Sequence, residues 1–186
     1  MRIISGSLKG KSIAFLKNKN TRPLKDSVKE NIFNILEHSN LFSVKIKKSN
    51  ILDLYSGIGS FGLECISRGA AKVTFVEKDR GASKILEENL KKLSIIQKAQ
   101  IINSEIVSVL DNKIKDNFDI FFLDPPFADK QFFKVLSLIR KKKIYKFKHI
   151  IIIHRERRTI DDLGDIIEII DIKKYGRSKI IFGFFK

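Results

Sequence analysis

The sequence predicts an α/β fold built on a doubly wound, mostly parallel seven-stranded sheet, and three observations support this prediction. From Ile51 onward, short apolar runs typical of buried strands alternate with amphipathic segments typical of helices. Three glycines, Gly57, Gly59 and Gly62, follow the first apolar run, where a strand must turn tightly into a helix. Two apolar segments close the chain around a turn, which predicts a C-terminal β-hairpin.

Residues 1–49 are predicted to form a small N-terminal appendage. Segments 2–5 and 11–15 are separated by Gly6 and Gly10, a pattern that predicts a short hairpin, and 18–23 then reads as a loop.

A helix is predicted to complete the appendage. Val28, Ile32 and Leu36 recur on one face, whereas Lys29 falls on the opposite, polar face. Ser27-x-x-Glu30 has the spacing of a capping box at the start of this helix.

The strands of the sheet are predicted where apolar residues run together. Five such runs occupy 51–55, 72–77, 100–103, 118–123 and 149–154. Segments between them carry apolar residues at helical spacing, for example 131–141. At the end of the chain, 166–173 and 179–185 flank a turn at 175–178 and predict the closing hairpin.

Size and composition predict one compact domain with a small appendage, in the cytoplasm. The chain has 186 residues with 43% hydrophobic content, enough for one good core. A single cysteine, Cys65, excludes a disulfide framework and a multi-cysteine zinc site, which fits a reducing compartment. The first residues lack the apolar core of a signal peptide, and the isoleucine run 150–153 is too short to span a bilayer.

The net charge of +16 predicts a polyanionic partner. Residues 1–25 contain seven basic residues and no acidic one, so this segment is predicted to contact nucleic acid. The candidate contact residues are Lys9, Lys11, Arg22 and Lys25.

The glycine turn predicts a site for a nucleotide-like ligand. Gly57-x-Gly59-x-x-Gly62 lets ligand atoms approach bare backbone at a helix N-terminus, and Glu77 ends the next strand, where an acid can bind ribose hydroxyls. Asp53 lies inside the strand end before the glycines. A carboxylate there suits the cationic methionine end of S-adenosylmethionine better than a pyrophosphate.

The segment Asp124-Pro125-Pro126-Phe127 follows the buried run 118–123 and predicts a second half of the site. An acid, a rigid proline carbonyl and an aromatic ring suit a planar base held by its amino group. Ligand sites in open α/β sheets lie at the carboxyl ends of neighbouring strands, so both motifs are expected to line one crevice.

The chain resembles the bacterial 16S ribosomal RNA guanine-N2 methyltransferases over nearly its whole length. The resemblance is carried by Arg2-Ile3-Ile4-Ser5-Gly6, Gly10-Lys11, Thr21-Arg22-Pro23, 28–34, 52–59, 62–64, 67–70, 77–79, 103–104, Asp124-Pro125-Pro126-Phe127 and Tyr175-Gly176. It implies a Rossmann-like class I methyltransferase domain at 50–186 and methyl transfer from S-adenosylmethionine to the N2 amine of one guanine in the small subunit. The partner it implies is 16S rRNA, the small subunit or its assembly intermediate, with the enzyme acting as a monomer without metal or membrane.

The resemblance also implies roles for individual residues. Asp124, Pro125, Pro126 and Phe127 would be catalytic, and Lys9, Lys11, Arg22 and Lys25 would contact RNA. The methionine part of the cofactor would lie on Asp53, Tyr55, Ser56, Gly57, Gly59 and Gly62, its ribose on Glu77, and its adenine near Lys78, Asn103, Ser104 and Glu105, with Asp124 beside the cofactor.

Two other functions stay open at this level. The same acid-Pro-Pro-aromatic segment serves any exocyclic amine, so a DNA adenine or cytosine amino-methyltransferase is an alternative, although no separate DNA-recognition domain is evident. The other alternative is a non-catalytic RNA-binding assembly factor on the same fold. Cys65 is expected to be a buried apolar residue, and His38, His149 and His154 lack metal-ligand spacing and are expected to be structural or on the surface.

Overall fold

The computed structural model describes residues 1–15, 24–126, 129 and 131–186, so the predicted site residues Arg22 and Phe127 lie outside the described residues. The helices are α1 Asp26–His38, α2 Ser60–Ser67, α3 Arg80–Lys92, α4 Ile106–Asn112 and α5 Phe132–Lys142. The strands are β1 Asn50–Leu54, β2 Lys72–Glu77, β3 Ala99–Asn103, β4 Phe118–Leu123, β5 Tyr145–Glu156, β6 Ile167–Tyr175 and β7 Ser178–Phe185.

The seven strands form one sheet in the order β3-β2-β1-β4-β5-β7-β6. Strands β1 to β5 are mutually parallel, and β7 pairs antiparallel with both β5 and β6. The predicted fold class is therefore confirmed, including the C-terminal hairpin. Because parallel strands end on the same side, the carboxyl ends of β1, β2, β4 and β5 form one edge of the sheet.

Two hydrophobic clusters cover the two faces of this sheet. Side chains alternate along β1, so Ile51 belongs to the cluster under α1, α2 and α3, whereas Leu52 and Leu54 belong to the cluster under α4 and α5. Burial on both faces explains the continuous apolar runs that predicted these strands.

The N-terminal segment forms less sheet than predicted. Among its described residues, pairing is limited to one antiparallel bridge between Arg2 and Ser12, around a short 3₁₀ helix at Gly6–Leu8. The predicted hairpin is therefore wrong in its extent. The physical reason is that the backbone amides of Ile4 and Ser5 donate to the buried carboxylate of Glu64 in α2, at 2.7 and 2.9 Å, instead of to another strand.

The described part of residues 1–49 packs into the same core as the sheet. Ile3, Ile13, Phe33 and Ile46 are buried in one hydrophobic cluster with Ile51. The RNA-contacting role of this segment stays a prediction.

Helix α1 differs from its prediction in two respects. It begins at Asp26, its N-cap is Lys25, and no side chain caps it, so the capping box at Ser27 is wrong. Lys29 is fully buried instead of exposed. Its Nζ donates to the Arg2 carbonyl and to Ser60 Oγ, both at 3.3 Å, and lies 3.5 Å from Asp26 Oδ1. These oxygens offset the cost of burying a cation.

Strand β5 is longer than predicted at both ends, because a bulge extends it back to Tyr145 and pairing with β7 extends it to Glu156. Phe118 pairs with Tyr145 and Ile120 with Ile150, so residues 146–149 stand opposite the single residue Asp119. None of the helices in the described ranges is long and apolar enough to cross a membrane.

Candidate active site

A cavity of about 690 Å³ opens at the carboxyl edge of the sheet. It lies between the ends of β1, β2, β4 and β5, with α1 and the β6–β7 turn at its rim. Most of the predicted site lines it: Lys25, Asp53, Tyr55, Ser56, Gly57, Glu77, Lys78, Glu105, Asp124, Pro125 and Pro126. Motifs more than 70 residues apart in the sequence, Asp53 and Asp124, therefore meet in one space.

Asp53 is a buried carboxylate with one oxygen left for a ligand. The side chain is 1% exposed, and its Oδ2 accepts a hydrogen bond from the Gly62 amide at 3.0 Å. Within the described residues, Oδ1 has no hydrogen-bond partner although it is buried. Burial raises the pKa of Asp53 well above its usual value, and the nearby Asp124 and Glu77 carboxylates raise it further, against the effect of the Gly62 amide. A cationic group beside Asp53 would stabilise its ionised form and so lower this pKa.

The turn after β1 presents backbone to the cavity. Gly57 has φ +53°, and a Cβ there would meet no atom within 4 Å, so the backbone is open to a ligand. Ser56 Oγ is buried and also has no partner among the described residues. These unsatisfied groups fit a polar ligand that carries both donors and acceptors.

Glu77 is held in place at the end of β2. Its Oε2 accepts from the Gly57 amide at 2.7 Å and its Oε1 accepts from the Asp79 amide at 2.8 Å. A carboxylate oxygen accepts more than one hydrogen bond, so this arrangement orients Glu77 and leaves it able to accept from a diol.

Asp124 is positioned by a histidine from the neighbouring strand. His154 Nδ1 lies 2.8 Å from Asp124 Oδ1, and both side chains line the cavity. The His154 residue is 8% exposed. Among the described residues, the second carboxylate oxygen of Asp124 accepts no hydrogen bond, so it is available to a ligand. The sequence predicted Asp124 but assigned His154 no role at the site.

Arg155 contacts the backbone of the Pro125-Pro126 segment and helps to hold it in place. Arg155 Nη1 lies 3.5 Å from the Pro126 carbonyl, which also accepts from the Asp129 amide at 2.8 Å. Arg155 is 4% exposed, pairs with Asp161 at 3.1 Å and stacks over the Phe132 ring at 4.2 Å. Burial would raise the pKa of Asp161, but hydrogen bonds from Arg155, Thr159 and Lys179 outweigh burial and lower it. The guanidinium is thus a fixed structural group.

Tyr55 closes the cavity beside this segment. Its φ is +59°, a left-handed conformation that is uncommon for an aromatic residue and often marks a functional site. Burial, together with the carboxylate of Asp129 that its hydroxyl contacts, raises the pKa of Tyr55.

Comparison with known proteins identifies the family. The family described as "Conserved hypothetical protein 95" matches residues 1–184. "Ribosomal RNA small subunit methyltransferase D" of Buchnera aphidicola subsp. Acyrthosiphon pisum is 35% identical over 156 residues, covering 84% of this chain and 78% of that protein. The protein of the same name from Haemophilus influenzae is 34% identical over 159 residues, covering 84% and 79%. The chain belongs to this family of methyltransferases.

A solved structure agrees with this assignment. "Putative methyltransferase yhhF from Escherichia coli" matches with a TM-score of 0.85 at 27% identity, covering 100% of this chain and 98% of that one. The resemblance seen in the sequence is confirmed, and the methyltransferase fold accounts for the cavity at the carboxyl edge.

Four predicted cofactor residues of the methyltransferase do not line the cavity. A Cβ on Gly59 would lie 2.4 Å from Leu86, and one on Gly62 would lie 2.3 Å from Phe75, so these glycines permit close packing of α2. Asn103 donates to the Glu77 carbonyl at 2.9 Å and to Ser83 Oγ at 3.0 Å. Ser104 donates its amide to the same carbonyl at 3.2 Å. Their cofactor contacts stay predictions.

The remaining predicted residues of the methyltransferase are charged side chains, some in the lining of the cavity and some outside it. Lys78 and Glu105 form an exposed ion pair at 3.4 Å in the lining of the cavity. Lys25 lines the cavity, whereas Lys9 and Lys11 are exposed outside it. Across the described ranges, no cluster of side chains has the composition of a metal site.

Proposed function

We propose that this methyltransferase transfers a methyl group from S-adenosylmethionine to the N2 amine of a guanine in small-subunit ribosomal RNA. The observation that carries the proposal is one cavity in which the buried, half-satisfied carboxylate of Asp53 faces the Asp124-Pro125-Pro126 segment on the neighbouring strand. The names of the related proteins point to ribosomal RNA as the substrate.

The residues present fit the proposed cofactor. Asp53 and Ser56 offer unsatisfied polar atoms, Gly57 offers open backbone, and Glu77 offers an oriented carboxylate. In this assignment Asp53 binds the cationic methionine end and Glu77 binds the ribose hydroxyls. Lys78 and Glu105 then border the adenine. When bound, S-adenosylmethionine supplies a methyl group activated by its sulfonium centre.

The chain's own residues orient the amine. The N2 lone pair of guanine is delocalised into the ring, so the reaction needs an aligned nitrogen and acceptors for its hydrogens. The free oxygen of Asp124 accepts one N–H, and the Pro125 carbonyl accepts the other, because proline has no competing N–H. As positive charge develops on the nitrogen, the Asp124 carboxylate stabilises it and takes the proton late or passes it to water.

The substrate base must leave its stack to reach this cavity. We assign the first contacts with RNA to Lys9, Lys11, Arg22 and Lys25, and stacking on the base to Phe127. We also infer that the enzyme acts in the cytoplasm as a monomer, on 16S rRNA or a small-subunit assembly intermediate.

Methyl transfer from labelled S-adenosylmethionine tests the proposal. Naked 16S rRNA, assembled small subunits and duplex DNA are compared as substrates, and the modified nucleotide is mapped by mass spectrometry. Labelling of N2-guanine in either RNA substrate, without labelling of DNA, is the expected result. Label in DNA alone would favour a DNA amino-methyltransferase, and no label in any substrate would favour a binding protein.

Asp124→Asn tests the assigned chemistry. We expect methyl transfer to fall by about 100-fold or more, because the substitution removes the carboxylate charge that stabilises the positive charge developing on the N2 nitrogen. Cofactor affinity measured by calorimetry should stay within about threefold, since a change of that size is under 1 kcal/mol. Asp165→Asn, on an exposed residue before β6, is the matched control. Turnover near that of the unaltered enzyme would refute the role of Asp124.

A further inference from the structure

Positive charge is concentrated on the edge of the sheet opposite the cavity. Parallel strands β1, β2, β4 and β5 all begin at this edge. We define the amino-edge face as residues 45–48, Lys72, 111–119 and 141–148, which contain eleven lysines and three aspartates. Its net positive charge is half of the +16 carried by the whole chain.

Most of this charge is not neutralised by the protein. Lys72 pairs with Asp116 at 2.9 Å, Lys142 with Asp111 at 3.5 Å and Lys146 with Asp119 at 2.8 Å. No ion pair within the described residues involves the other lysines of the face: Lys45, Lys47, Lys48, Lys113, Lys115, Lys141, Lys143 and Lys148. All eight are exposed.

An exposed aromatic side chain projects from the same face. Phe147 is 99% exposed, between Lys146 and Lys148 at the bulge of β5. The bulge is held on both sides: His149 Nδ1 donates to the Lys146 carbonyl at 2.8 Å, and His149 Nε2 accepts the Phe185 amide at 2.8 Å. Lys146 itself forms an ion pair with Asp119. The ring is therefore presented to solvent by an ordered backbone.

The charge of the cavity is of the opposite sign. Among the described residues that line it, seven are acidic and three are lysine or arginine. Such a lining suits a cationic cofactor but repels phosphates, so a long polyanionic substrate needs attachment elsewhere on the protein. Lysines around an aromatic ring are the elements of a site for single-stranded nucleic acid, because bases stack on the ring while phosphates contact the lysines.

We propose that the amino-edge face is a second RNA-binding surface that takes a single-stranded segment of the ribosomal RNA substrate, with a base stacked on Phe147 and phosphates on Lys141, Lys143 and Lys148. Phe147 lies seven residues before His154 on the same strand, so the two are up to roughly 23 Å apart by the rise of extended chain, less the shortening caused by the bulge. The surface therefore anchors RNA away from the base that enters the cavity. The choice of RNA as the polyanion rests on the proposed function.

Binding of a fluorescein-labelled single-stranded 20-nucleotide RNA, measured by anisotropy over a salt series, tests this surface. Phe147→Ala should weaken binding by about fivefold or more, as expected when one base no longer stacks. The pair Lys143→Glu with Lys148→Glu should weaken it by roughly tenfold and lower the salt slope by about 0.7 for each phosphate that the protein no longer neutralises. The matched control is Lys84→Glu with Lys174→Glu, which changes the net charge equally at exposed positions elsewhere.

The outcomes separate this proposal from the proposed function. Loss of RNA affinity in the face variants, with control binding and calorimetric S-adenosylmethionine affinity unchanged, supports the surface even if no RNA is methylated. Equal loss in the control pair, or no loss in Phe147→Ala, overturns it even if the enzyme methylates RNA. Loss of binding to duplex RNA of the same length but not to the single strand would also overturn it.

Discussion

At the scale of single residues, the carboxylates of the site were predictable and their partners were not. Glu77 ends one apolar run, Asp124 directly follows another, and Asp53 lies near the end of a third, which marks the carboxyl ends of buried strands. His154 lies inside a run of its own strand, 30 residues from Asp124. Only the pairing of β4 with β5 brings the two together.

His154 is a positioning residue that fixes the rotamer of Asp124 through a 2.8 Å contact. We expect His154→Leu to lower kcat for methyl transfer by about tenfold, because it removes a donor worth about 1.5 kcal/mol to a charged acceptor. His154→Asn keeps an N–H near the position of Nδ1 and should restore most of this activity.

Separate readouts distinguish positioning from a general loss of structure. Calorimetric cofactor affinity and the unfolding temperature should be similar in the two His154 variants. His38→Leu, at an exposed histidine, is the control for loss of an imidazole. If His154→Leu keeps full kcat, Asp124 does not need this partner.

At the scale of elements, the N-terminal segment is attached to α2 through one buried carboxylate. Glu64 accepts from the Ile4 and Ser5 amides and from Arg68 Nε at 3.0 Å, and Arg68 also pairs with Glu37 at 2.8 Å. Gly6 lies beside this contact with φ +80°, a backbone conformation that favours glycine. A Cβ at this position would also lie 2.1 Å from the Ser67 carbonyl oxygen, so no larger residue fits. The motifs noted in the sequence around Gly6 and Glu64 are thus two sides of one contact.

Glu64→Ala is expected to lower the free energy of unfolding by about 3 kcal/mol, because it leaves two backbone amides without their acceptor and removes one of the two carboxylates that pair with the buried Arg68. Urea denaturation measures the change. Glu88→Ala, at an exposed position of α3, should change stability by no more than about 0.5 kcal/mol. A loss from Glu64→Ala as small as the control would mean that this carboxylate adds little to stability.

At the scale of the whole molecule, the parallel sheet separates the two kinds of charge. The acidic cavity lies at the carboxyl edge of the sheet and the lysines lie at the amino edge, because every parallel strand has one end at each edge.

The stability of the whole protein also depends on His149, which lies near the amino edge. His149 is 5% exposed, and burial lowers its pKa below 6.5, against hydrogen bonds from its ring to the backbone at 146 and 147 that raise it.

The lowered pKa of His149 predicts how stability varies with pH. Below about 6.5 the unfolded chain binds a proton at this residue before the folded protein does, so the free energy of unfolding falls as pH decreases, by at most about 1.4 kcal/mol per pH unit. The contribution is fully present above pH 6.5. In His149→Asn this dependence should be absent, so the stability difference between the two proteins shrinks between pH 7 and pH 5. Chemical denaturation across this range checks it, and parallel curves would contradict it.

The sequence by itself determined the order of elements and the acidic residues that line the cavity, because both are encoded locally: strands as apolar runs, and these carboxylates as residues at or near the ends of such runs. Only the tertiary structure decided which hydrogen-bond and ion-pair partners these elements and side chains have. The capping box at Ser27 has the right spacing but is not used, Lys29 is buried because its acceptors come from Arg2 and Ser60, and His154 reaches Asp124 across two paired strands. Each of these outcomes depends on atoms distant in sequence, whose meeting is set by strand order and packing and cannot be read from local pattern.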